Sequence, residues 1–228
     1  MLSFCAGGTP GIEGARARRP LGQLWPGVTE QAVNAADASV SDRKAHIRQE
    51  ALALRDAMPA ATRAAAAESI VARPFPIRIE PGVVVSGFSP MKSEINPVPL
   101  MRKLADNGAR LALPVIAGRG KPLIMRAWNF GDPLVSGQWG IREPTGEAPE
   151  IAPDILIVPL AAFDRTGHRI GYGAGYFDMT INAFRAKKPV TAVGIAFAAQ
   201  EIPSVPTTER DARLDLVLTE REIIDFRA

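Results

Sequence analysis

Short, uninterrupted apolar runs alternate along this chain with stretches of helical period and with polar loops. Six runs predict strands, at residues 82–88, 110–116, 123–128, 154–159, 190–197 and 214–218. Helices are predicted at 97–107 and 174–186, between successive strands. Strands that lack polar alternation and are separated by helices are typical of a mainly parallel sheet covered on both faces. The pattern therefore predicts an α/β fold.

Two further helices are predicted ahead of the first strand. The first begins at Ser41 and Asp42, which can cap it, and the second is rich in alanine and runs from 59 to 73. Lys44 and Arg48 are four residues apart, so they share one side of the first helix. The predicted apolar face of that helix consists of Ile47, Ala51, Leu54 and Met58.

Residues 1–40 mix Gly, Pro and polar residues without a sustained period. We therefore expect a flexible N-terminal extension followed by a single domain over residues 41–228.

The single cysteine, Cys5, leaves no intrachain disulfide and no cysteine zinc site, which favours a reducing compartment and a cytoplasmic location. No window approaches the roughly 20 apolar residues of a membrane span, so no membrane partner is expected.

The charge pattern is mild. Twenty-seven basic residues are scattered among 24 acidic ones, for a formal net charge of +3. Duplex-binding proteins usually concentrate Lys and Arg on one face. We therefore expect no nucleic-acid partner, and we expect a monomer.

The segment 129–153 is punctuated by glycine and proline. It predicts either a long ordered loop or a small hairpin layer. Long loops inside compact domains are more often functional than idle.

The densest candidate site is Arg-Ile-Gly-Tyr-Gly-Ala-Gly-Tyr-Phe-Asp at 169–178, between a predicted strand and a predicted helix. Its glycines permit backbone N–H groups to converge on an anion at a helix N-terminus. The spacing matches neither a Walker A loop nor a dinucleotide fingerprint, and an ordinary structural turn is the alternative. The flanking Arg169 and Asp178 favour a phosphate site, because a guanidinium and a magnesium-binding carboxylate suit a triphosphate.

Other polar residues are ambiguous by themselves. Lys44 and Arg48 fit a solvated helix face, and Glu94 fits an ordinary loop carboxylate, although it follows a strand end, where open α/β sheets bind ligands. The carboxylates that could serve either a turn or a site are Asp164, Asp211 and Asp215. Two histidines, His46 and His168, supply neither a His-Glu-x-x-His zinc motif nor a hydrolytic triad with a nucleophile elbow.

Taken together, these elements resemble the 5-formyltetrahydrofolate cyclo-ligase family, also called 5,10-methenyltetrahydrofolate synthetases. The resemblance spans about residues 42–220 and depends on the order of several short motifs. They are Lys44-x3-Arg48 with Arg55 beyond it, the Glu94 segment, Trp139-Gly-Ile-Arg-Glu-Pro144, the segment 158–167, the loop 169–178, and Arg210-Asp211-x3-Asp215 with the segment 217–220.

The resemblance implies a three-layer α/β/α sandwich similar to sugar-phosphate isomerases and coenzyme A transferases. It also implies ATP- and Mg²⁺-dependent conversion of 5-formyltetrahydrofolate to 5,10-methenyltetrahydrofolate, with release of ADP and phosphate. Arg169 and Tyr172 would be catalytic, Glu94 and Trp139 would bind the folate, and Asp178 and Asp211 would bind the metal. The implied ATP-binding residues are Lys44, Arg48, Arg169, Gly171, Tyr172, Gly173, Ala174, Gly175, Tyr176 and Phe177.

The chain departs from the family pattern at three positions. Phe177 stands where many members have Tyr, Met179 where many have a basic residue, and Arg210 where many have His or Asn. The last two changes motivate an alternative, a non-catalytic regulator that binds folate or nucleotide on the same scaffold. An isomerase or acyl-coenzyme A transferase of similar fold is less favoured, because no catalytic carboxylate nucleophile is evident.

Overall fold

The computed structural model of the protein describes residues 40–227. The predicted extension lies outside this range except for Val40, which begins the first helix. The four α-helices of the described part are α1 (Val40–Asp56), α2 (Ala60–Ala72), α3 (Val98–Asp106) and α4 (Tyr176–Arg185). Two short 3₁₀ turns, Gln138–Gly140 and Ala198–Gln200, complete the helical elements described.

Eleven short strands are described. They are β1 (Val84–Ser86), β2 (Arg110–Val115), β3 (Ile124–Ala127), β4 (Leu134–Ser136), β5 (Arg142–Pro144), β6 (Ile155–Val158), β7 (Ala162–Phe163), β8 (Arg169–Ile170), β9 (Thr191–Ile195), β10 (Leu216–Leu218) and β11 (Ile223–Asp225). Seven of them form one sheet in the order β11-β10-β9-β6-β1-β2-β3. Two-stranded pairs, β4 with β5 and β7 with β8, lie outside that sheet.

The large sheet is parallel through its centre and antiparallel at both edges. The strands β10, β9, β6, β1 and β2 pair in parallel. The edge strands β3 and β11 run the other way. Each of the six predicted strand runs contains one observed strand, and the mainly parallel sheet is confirmed. Of the two alternatives for residues 129–153, the hairpin is correct, because β4 and β5 pair antiparallel.

Helices cover both faces of this sheet, as predicted. On one face Val85 shares a buried cluster with Ile70 of α2 and Leu104 of α3. On the other face Val84 shares a buried cluster with Ile181 of α4. Neighbouring residues of one strand therefore supply opposite cores, since successive side chains alternate across a sheet.

The predicted apolar face of α1 is correct at Ile47 and Ala51, which pack inward, and wrong towards the end of the helix. Leu54 is 39% exposed, and α1 ends at Asp56, ahead of Met58. The helix packs against loops and the β7–β8 pair, where Ala51 joins a small cluster with Ile170. Loops offer carbonyl and hydroxyl acceptors instead of a large apolar surface, so polar residues can occupy the inward side of the helix. The inward stripe consists of Lys44, Arg48, Ala51 and Arg55.

Within residues 40–227 no helix combines the length and the apolar character needed to cross a bilayer.

Candidate active site

A cavity of about 470 Å³ opens at the carboxyl ends of the central strands. The chain runs from β1 to β2 in one direction, and from β6 through β9 to β10 in the other, so the strand order reverses between β1 and β6. Such a switch point leaves a crevice in which open α/β sheets bind ligands. Residues that follow the strands line the cavity: Phe88 and Ser89 after β1, Ile116 after β2 and Pro159 after β6.

The glycine loop, residues 171–175, connects β8 to α4 along one wall of this cavity. Gly173 (φ 101°) and Gly175 (φ 68°) have left-handed backbone conformations, which favour glycine. Gly175 directly precedes α4, so the loop delivers the chain to a helix N-terminus, where unpaired N–H groups favour an anion. A Cβ at Gly173 would lie 3.5 Å from the Arg48 guanidinium carbon. The loop and α1 are thus in close contact.

Lys44 and Arg48 reach across from α1 to this loop region. The Arg48 Nε donates to the Gly171 carbonyl oxygen at 2.6 Å, and burial lowers the pKa of Arg48. The Lys44 Nζ lies 2.6 Å from both carboxylate oxygens of Asp211. Burial opposes ionisation of Asp211, but hydrogen bonds from Lys44 and Thr208 lower its pKa on balance. The solvated-face interpretation of Lys44 and Arg48 is therefore wrong.

Arg169 is buried beneath the loop and held at two points. Its Nη1 donates to the Ala212 carbonyl at 2.6 Å, and its Nη2 donates to Asp178 Oδ1 at 2.8 Å. The Ala212 N–H donates to the same Asp178 oxygen at 3.1 Å. Burial lowers the pKa of Arg169, and the Asp178 carboxylate acts in the opposite sense. The guanidinium therefore has a fixed orientation at the cavity wall.

Glu94 and Tyr172 meet on the inner side of the cavity. Glu94 is only 9% exposed, and its Oε2 accepts the Met91 N–H at 2.6 Å. Burial raises the pKa of Glu94, opposed by hydrogen bonds from Tyr172 and Met91 and by the charge of Arg55. Burial and the neighbouring Glu94 raise the pKa of Tyr172, so its hydroxyl stays protonated beside the carboxylate. Both residues line the cavity, so the pair presents an acceptor to it.

Trp139 stands at the mouth of the cavity on the 3₁₀ turn between β4 and β5. Its side chain is largely exposed, and its backbone has a left-handed conformation (φ 57°) that is uncommon for a bulky residue. Its ring centroid lies 6.2 Å from that of Tyr176. An indole held in this way offers a stacking wall to a planar ligand.

The structure brings most of the predicted site residues to this one cavity. Those that line it are Glu94, Trp139, Arg169, Gly171, Tyr172, Ala174, Gly175, Tyr176, Phe177 and Asp178. Gly173 lies in the same loop, and Lys44, Arg48 and Asp211 lie beside it, behind the lining residues. No predicted site residue lies elsewhere in the fold.

Sequence reasoning missed a second buried carboxylate at this site. Glu143 lines the cavity, is 6% exposed and accepts the Ile116 N–H at 3.3 Å. Burial raises the pKa of Glu143, with the Ile116 hydrogen bond opposing. A Cβ at Gly137 would lie 2.3 Å from the Glu143 carboxyl carbon, so the hairpin glycine leaves room for the carboxylate. One feature of the sequence could have located Glu143: it is a charged residue in the short segment between Ile141 and Pro144, which is compatible with a strand.

Two ambiguous carboxylates are structural. Asp164 is 2% exposed and accepts backbone N–H groups from Thr166 and Val205, each at 2.8 Å. Asp215 accepts from the Arg185 guanidinium at 2.7 Å and from the Ala192 N–H at 2.6 Å. Asp164 holds loop segments, Asp215 ties the end of α4 to β9, and neither lines the cavity.

Within the described residues no group of three or more His, Cys, Asp or Glu side chains could hold a metal ion. The carboxylates predicted to bind a metal, Asp178 and Asp211, are two in number. That number suits Mg²⁺, which is commonly held by one or two carboxylates together with substrate phosphates and water. The two aspartates also border one buried cation, since the charges of both act on Arg169.

The fold and the site define an α/β protein whose switch-point cavity joins a glycine loop at a helix N-terminus to an apolar pocket with buried carboxylates. The model of the 5-formyltetrahydrofolate cyclo-ligase family matches residues 40–220. The chain belongs to this family, which confirms the resemblance predicted from its motifs.

Named relatives and solved structures agree. A 5-formyltetrahydrofolate cyclo-ligase of Mycolicibacterium smegmatis is 32% identical over 198 residues, which cover 81% of this chain and 97% of the relative. One from Escherichia coli is 31% identical over 150 residues, 62% of this chain and 80% of the relative. The 5,10-methenyltetrahydrofolate synthetase structure from Aquifex aeolicus has a TM-score of 0.67 at 25% identity, covering 81% of this chain and 93% of its own. A Mycoplasma pneumoniae structure of the same name, at 19% identity and a TM-score of 0.59, shares the fold.

Proposed function

We propose that this chain catalyses the ATP- and Mg²⁺-dependent cyclisation of 5-formyltetrahydrofolate to 5,10-methenyltetrahydrofolate. The observation that carries the proposal is the single cavity that Glu94 and Trp139 share with Arg169, the glycine loop and Asp178. A triphosphate on the loop side would stand next to a folate on the other side. Residues 41–228 form the catalytic unit in this proposal, and the family match over 40–220 supports that boundary.

The phosphate side is formed by the glycine loop and three cations. Lys44, Arg48 and Arg169 are each held within or beside the loop by a hydrogen bond or an ion pair. Fixed cations and backbone N–H groups neutralise the charge of a transferring phosphoryl group without reorganising during the reaction. Tyr172 on the loop and Tyr176 at the start of α4 would separate the phosphates from the folate.

The folate side has apolar walls and few polar groups. Glu94, held by Met91 and Tyr172, accepts hydrogen bonds from the pterin N–H groups in this proposal. Trp139 closes the mouth against the planar rings. A cavity of this size, mostly apolar with a few fixed polar groups, is typical of small-molecule sites.

Asp178 and Asp211 would hold Mg²⁺ together with phosphate oxygens and water. Bound there, the ion would neutralise phosphate charge and help orient the terminal phosphoryl group. In the free protein these carboxylates pair with Arg169 and Lys44. On binding, the phosphates would pair with Arg169 and Lys44, and Mg²⁺ would bind Asp178 and Asp211 in their place.

The reaction needs positioning more than it needs a protein nucleophile. The formyl oxygen takes the terminal phosphoryl group of ATP, and ADP leaves with the electrons of the broken P–O bond. N10 then attacks the activated formyl carbon, the C–O bond breaks to release phosphate, and N10 loses its proton. Intramolecular attack of this kind is favoured by effective molarities of about 10⁵–10⁸ M when the groups are well oriented.

The alternative of a non-catalytic regulator depended on Met179 and Arg210. Neither residue lines the cavity, and Arg210 is exposed, with its carbonyl accepting from Asn182 at 3.1 Å. Phe177, the mildest departure, does line the cavity and packs against both cores. The cavity residues on which catalysis depends are all present, which favours the enzyme.

An absorbance assay tests the proposal. Purified protein with 5-formyltetrahydrofolate and Mg·ATP is expected to produce the methenyl chromophore, and omission of ATP is expected to prevent it. Tight folate binding in calorimetry without ATP consumption would instead support the regulator. Three expectations stay predictions: the cytoplasmic location, the monomeric state and the absence of a nucleic-acid partner. Sedimentation of the purified protein checks the monomeric state.

A further inference from the structure

Arg55 is the buried end of the inward stripe of α1. It is 3% exposed, whereas Lys44 and Arg48 are half-buried. Among the described residues its side-chain hydrogen-bond partners are two hydroxyls, those of Ser93 and Tyr172, and no carboxylate pairs with it directly. Arginine is rarely buried so fully without an ion-pair partner, and a buried charge is weak evidence for a stabilising role. Its position therefore calls for another explanation.

Arg55 joins two segments that the chain separates widely. Its Nε donates to the Ser93 Oγ at 3.0 Å, and Ser93 precedes Glu94 in the segment after β1. Its Nη1 donates to the Tyr172 hydroxyl in the glycine loop, and its guanidinium carbon lies 5.6 Å from the Tyr172 ring centroid. One planar, rigid group thus sets the spacing between the two segments.

Tyr172 completes the connection. Its hydroxyl accepts from Arg55, and Tyr172 and Glu94 interact electrostatically, so polar contacts run from α1 through the glycine loop to the folate-side carboxylate. Tyr172 and Glu94 both line the cavity. Asp56 supports the same arrangement, because it accepts the hydroxyl hydrogen of Ser93.

We infer that Arg55 is a positioning residue that acts through Tyr172 to couple the nucleotide and folate sides of the cavity, so that each ligand strengthens the binding of the other. This inference rests on the proposed function. A nucleotide that fixes the glycine loop also fixes Tyr172 and hence Glu94, so the folate meets an acceptor that is already ordered. By thermodynamic linkage the effect is the same in both directions.

Calorimetry measures the coupling. The affinity of 5-formyltetrahydrofolate is determined with and without a saturating, non-hydrolysable Mg·ATP analogue, and the affinity of the analogue is determined with and without folate. In the unsubstituted protein each ligand is expected to tighten the other at least about fivefold. If each ligand binds equally well with and without the other, the inference is overturned and the proposed function stays in place. If the protein binds neither ligand, both are overturned.

Two substitutions locate the coupling. Tyr172→Phe keeps the ring and removes the hydroxyl, and Arg55→Met removes the guanidinium. Both are expected to reduce the coupling to less than about twofold, while each ligand alone still binds. Tyr172→Phe carries the test if Arg55→Met does not fold. Arg55→Lys, which keeps the charge but not the forked donors, is expected to restore little of the coupling.

Arg73→Met is the matched control. Arg73 is a half-buried arginine outside the cavity, and it donates to the backbone carbonyls of Thr219 and Glu220. Its loss is expected to leave the coupling at the unsubstituted value. Full coupling in Tyr172→Phe, or loss of coupling in Arg73→Met equal to that in Tyr172→Phe, would contradict a specific role for the Arg55–Tyr172–Glu94 connection.

Discussion

At the scale of single residues, the site is organised as pairs of opposite charge. Arg169 pairs with Asp178 at 2.8 Å, and Lys44 pairs with Asp211 at 2.6 Å. Each pair joins a proposed phosphate ligand to a proposed metal ligand. Burial makes an unpaired charge costly here, and in the free protein each of these groups is satisfied by its partner.

The Asp178 pair gives a first prediction. Asp178→Asn keeps an oxygen for Arg169 and Ala212 but removes the charge, so Mg²⁺-dependent turnover is expected to fall at least about 100-fold with little loss of stability. Asp178→Ala removes the acceptor as well and is expected to cost about 2 kcal/mol or more of unfolding free energy. Steady-state kinetics and denaturant unfolding check the two effects separately. Full activity of Asp178→Asn would remove this residue from the metal site.

Glu94 gives a second prediction, with a definite sign. Burial raises its pKa above the ordinary value of 4.5, so between these two pKa values the folded protein binds more protons than the unfolded chain. The free energy of unfolding therefore decreases as pH rises through this window, by at most about 1.4 kcal/mol per pH unit. Glu94→Gln is expected to remove that decrease and to be more stable than the unsubstituted protein at neutral pH.

The same substitution is expected to weaken folate binding about 10- to 100-fold, because hydrogen bonds to the carboxylate are lost. Folate binding by the unsubstituted protein should weaken as pH falls through the raised pKa, and binding by Glu94→Gln should not depend on pH there. Thermal unfolding and calorimetry at several pH values give both results. Unchanged folate affinity in the variant would exclude Glu94 from the binding site.

At the scale of elements, α1 shows what the pattern of residues could and could not predict. The apolar period correctly predicted a helix from about residue 41, but it assigned Leu54 to the buried face where Arg55 is buried instead. A periodicity of apolar residues locates the buried face only when an apolar core lies opposite. Here loops lie opposite, and their hydroxyl and carbonyl acceptors are not visible in the sequence of α1.

The glycine loop was more predictable, because its chemistry is local. Glycines 171, 173 and 175 predicted a loop that permits positive φ, which Gly173 and Gly175 adopt, and Arg169 and Asp178 flank the loop in the sequence. Glu143 could not be located in the same way. Its place in the cavity depends on the β4–β5 hairpin, whose two strands are too short to produce a clear period.

Alanine substitutions in the loop give a third prediction. Gly173 has a left-handed φ of 101°, and a Cβ there would contact Arg48, whereas Gly171 has neither a positive φ nor a neighbour within 4 Å. Gly173→Ala is expected to lower the unfolding free energy by about 1–2 kcal/mol relative to Gly171→Ala. Denaturant unfolding of the two variants checks the difference. Equal stabilities would show that the loop does not need the left-handed conformation at Gly173.

At the scale of the whole molecule, the sheet order places every proposed ligand contact at one position. Because the strand order reverses between β1 and β6, the segments that follow β1, β2 and β6 separate around a crevice, and α1 reaches it from outside the sheet. The positive charge of the proposed phosphate site comes from a few side chains and not from an extended basic surface. This arrangement agrees with the modest net charge of +3.

Deletion of the N-terminal residues gives a fourth prediction. Removing residues 1–38 leaves α1 intact, so kcat/KM is expected to stay within about twofold of the full chain. Removing residues 1–48 also removes Lys44 and Arg48, and turnover is expected to fall at least about 100-fold. Kinetics of both deletion variants check the boundary. Loss of activity in the shorter deletion would place part of the site before residue 39.

The central claim is that ATP is consumed to activate the formyl oxygen for ring closure. The most direct test measures methenyl product and ADP together in one reaction with 5-formyltetrahydrofolate and Mg·ATP. We predict that they accumulate in equal amounts and that a non-hydrolysable ATP analogue yields neither. ADP release without methenyl product, or methenyl product formed without ATP, would contradict the claim.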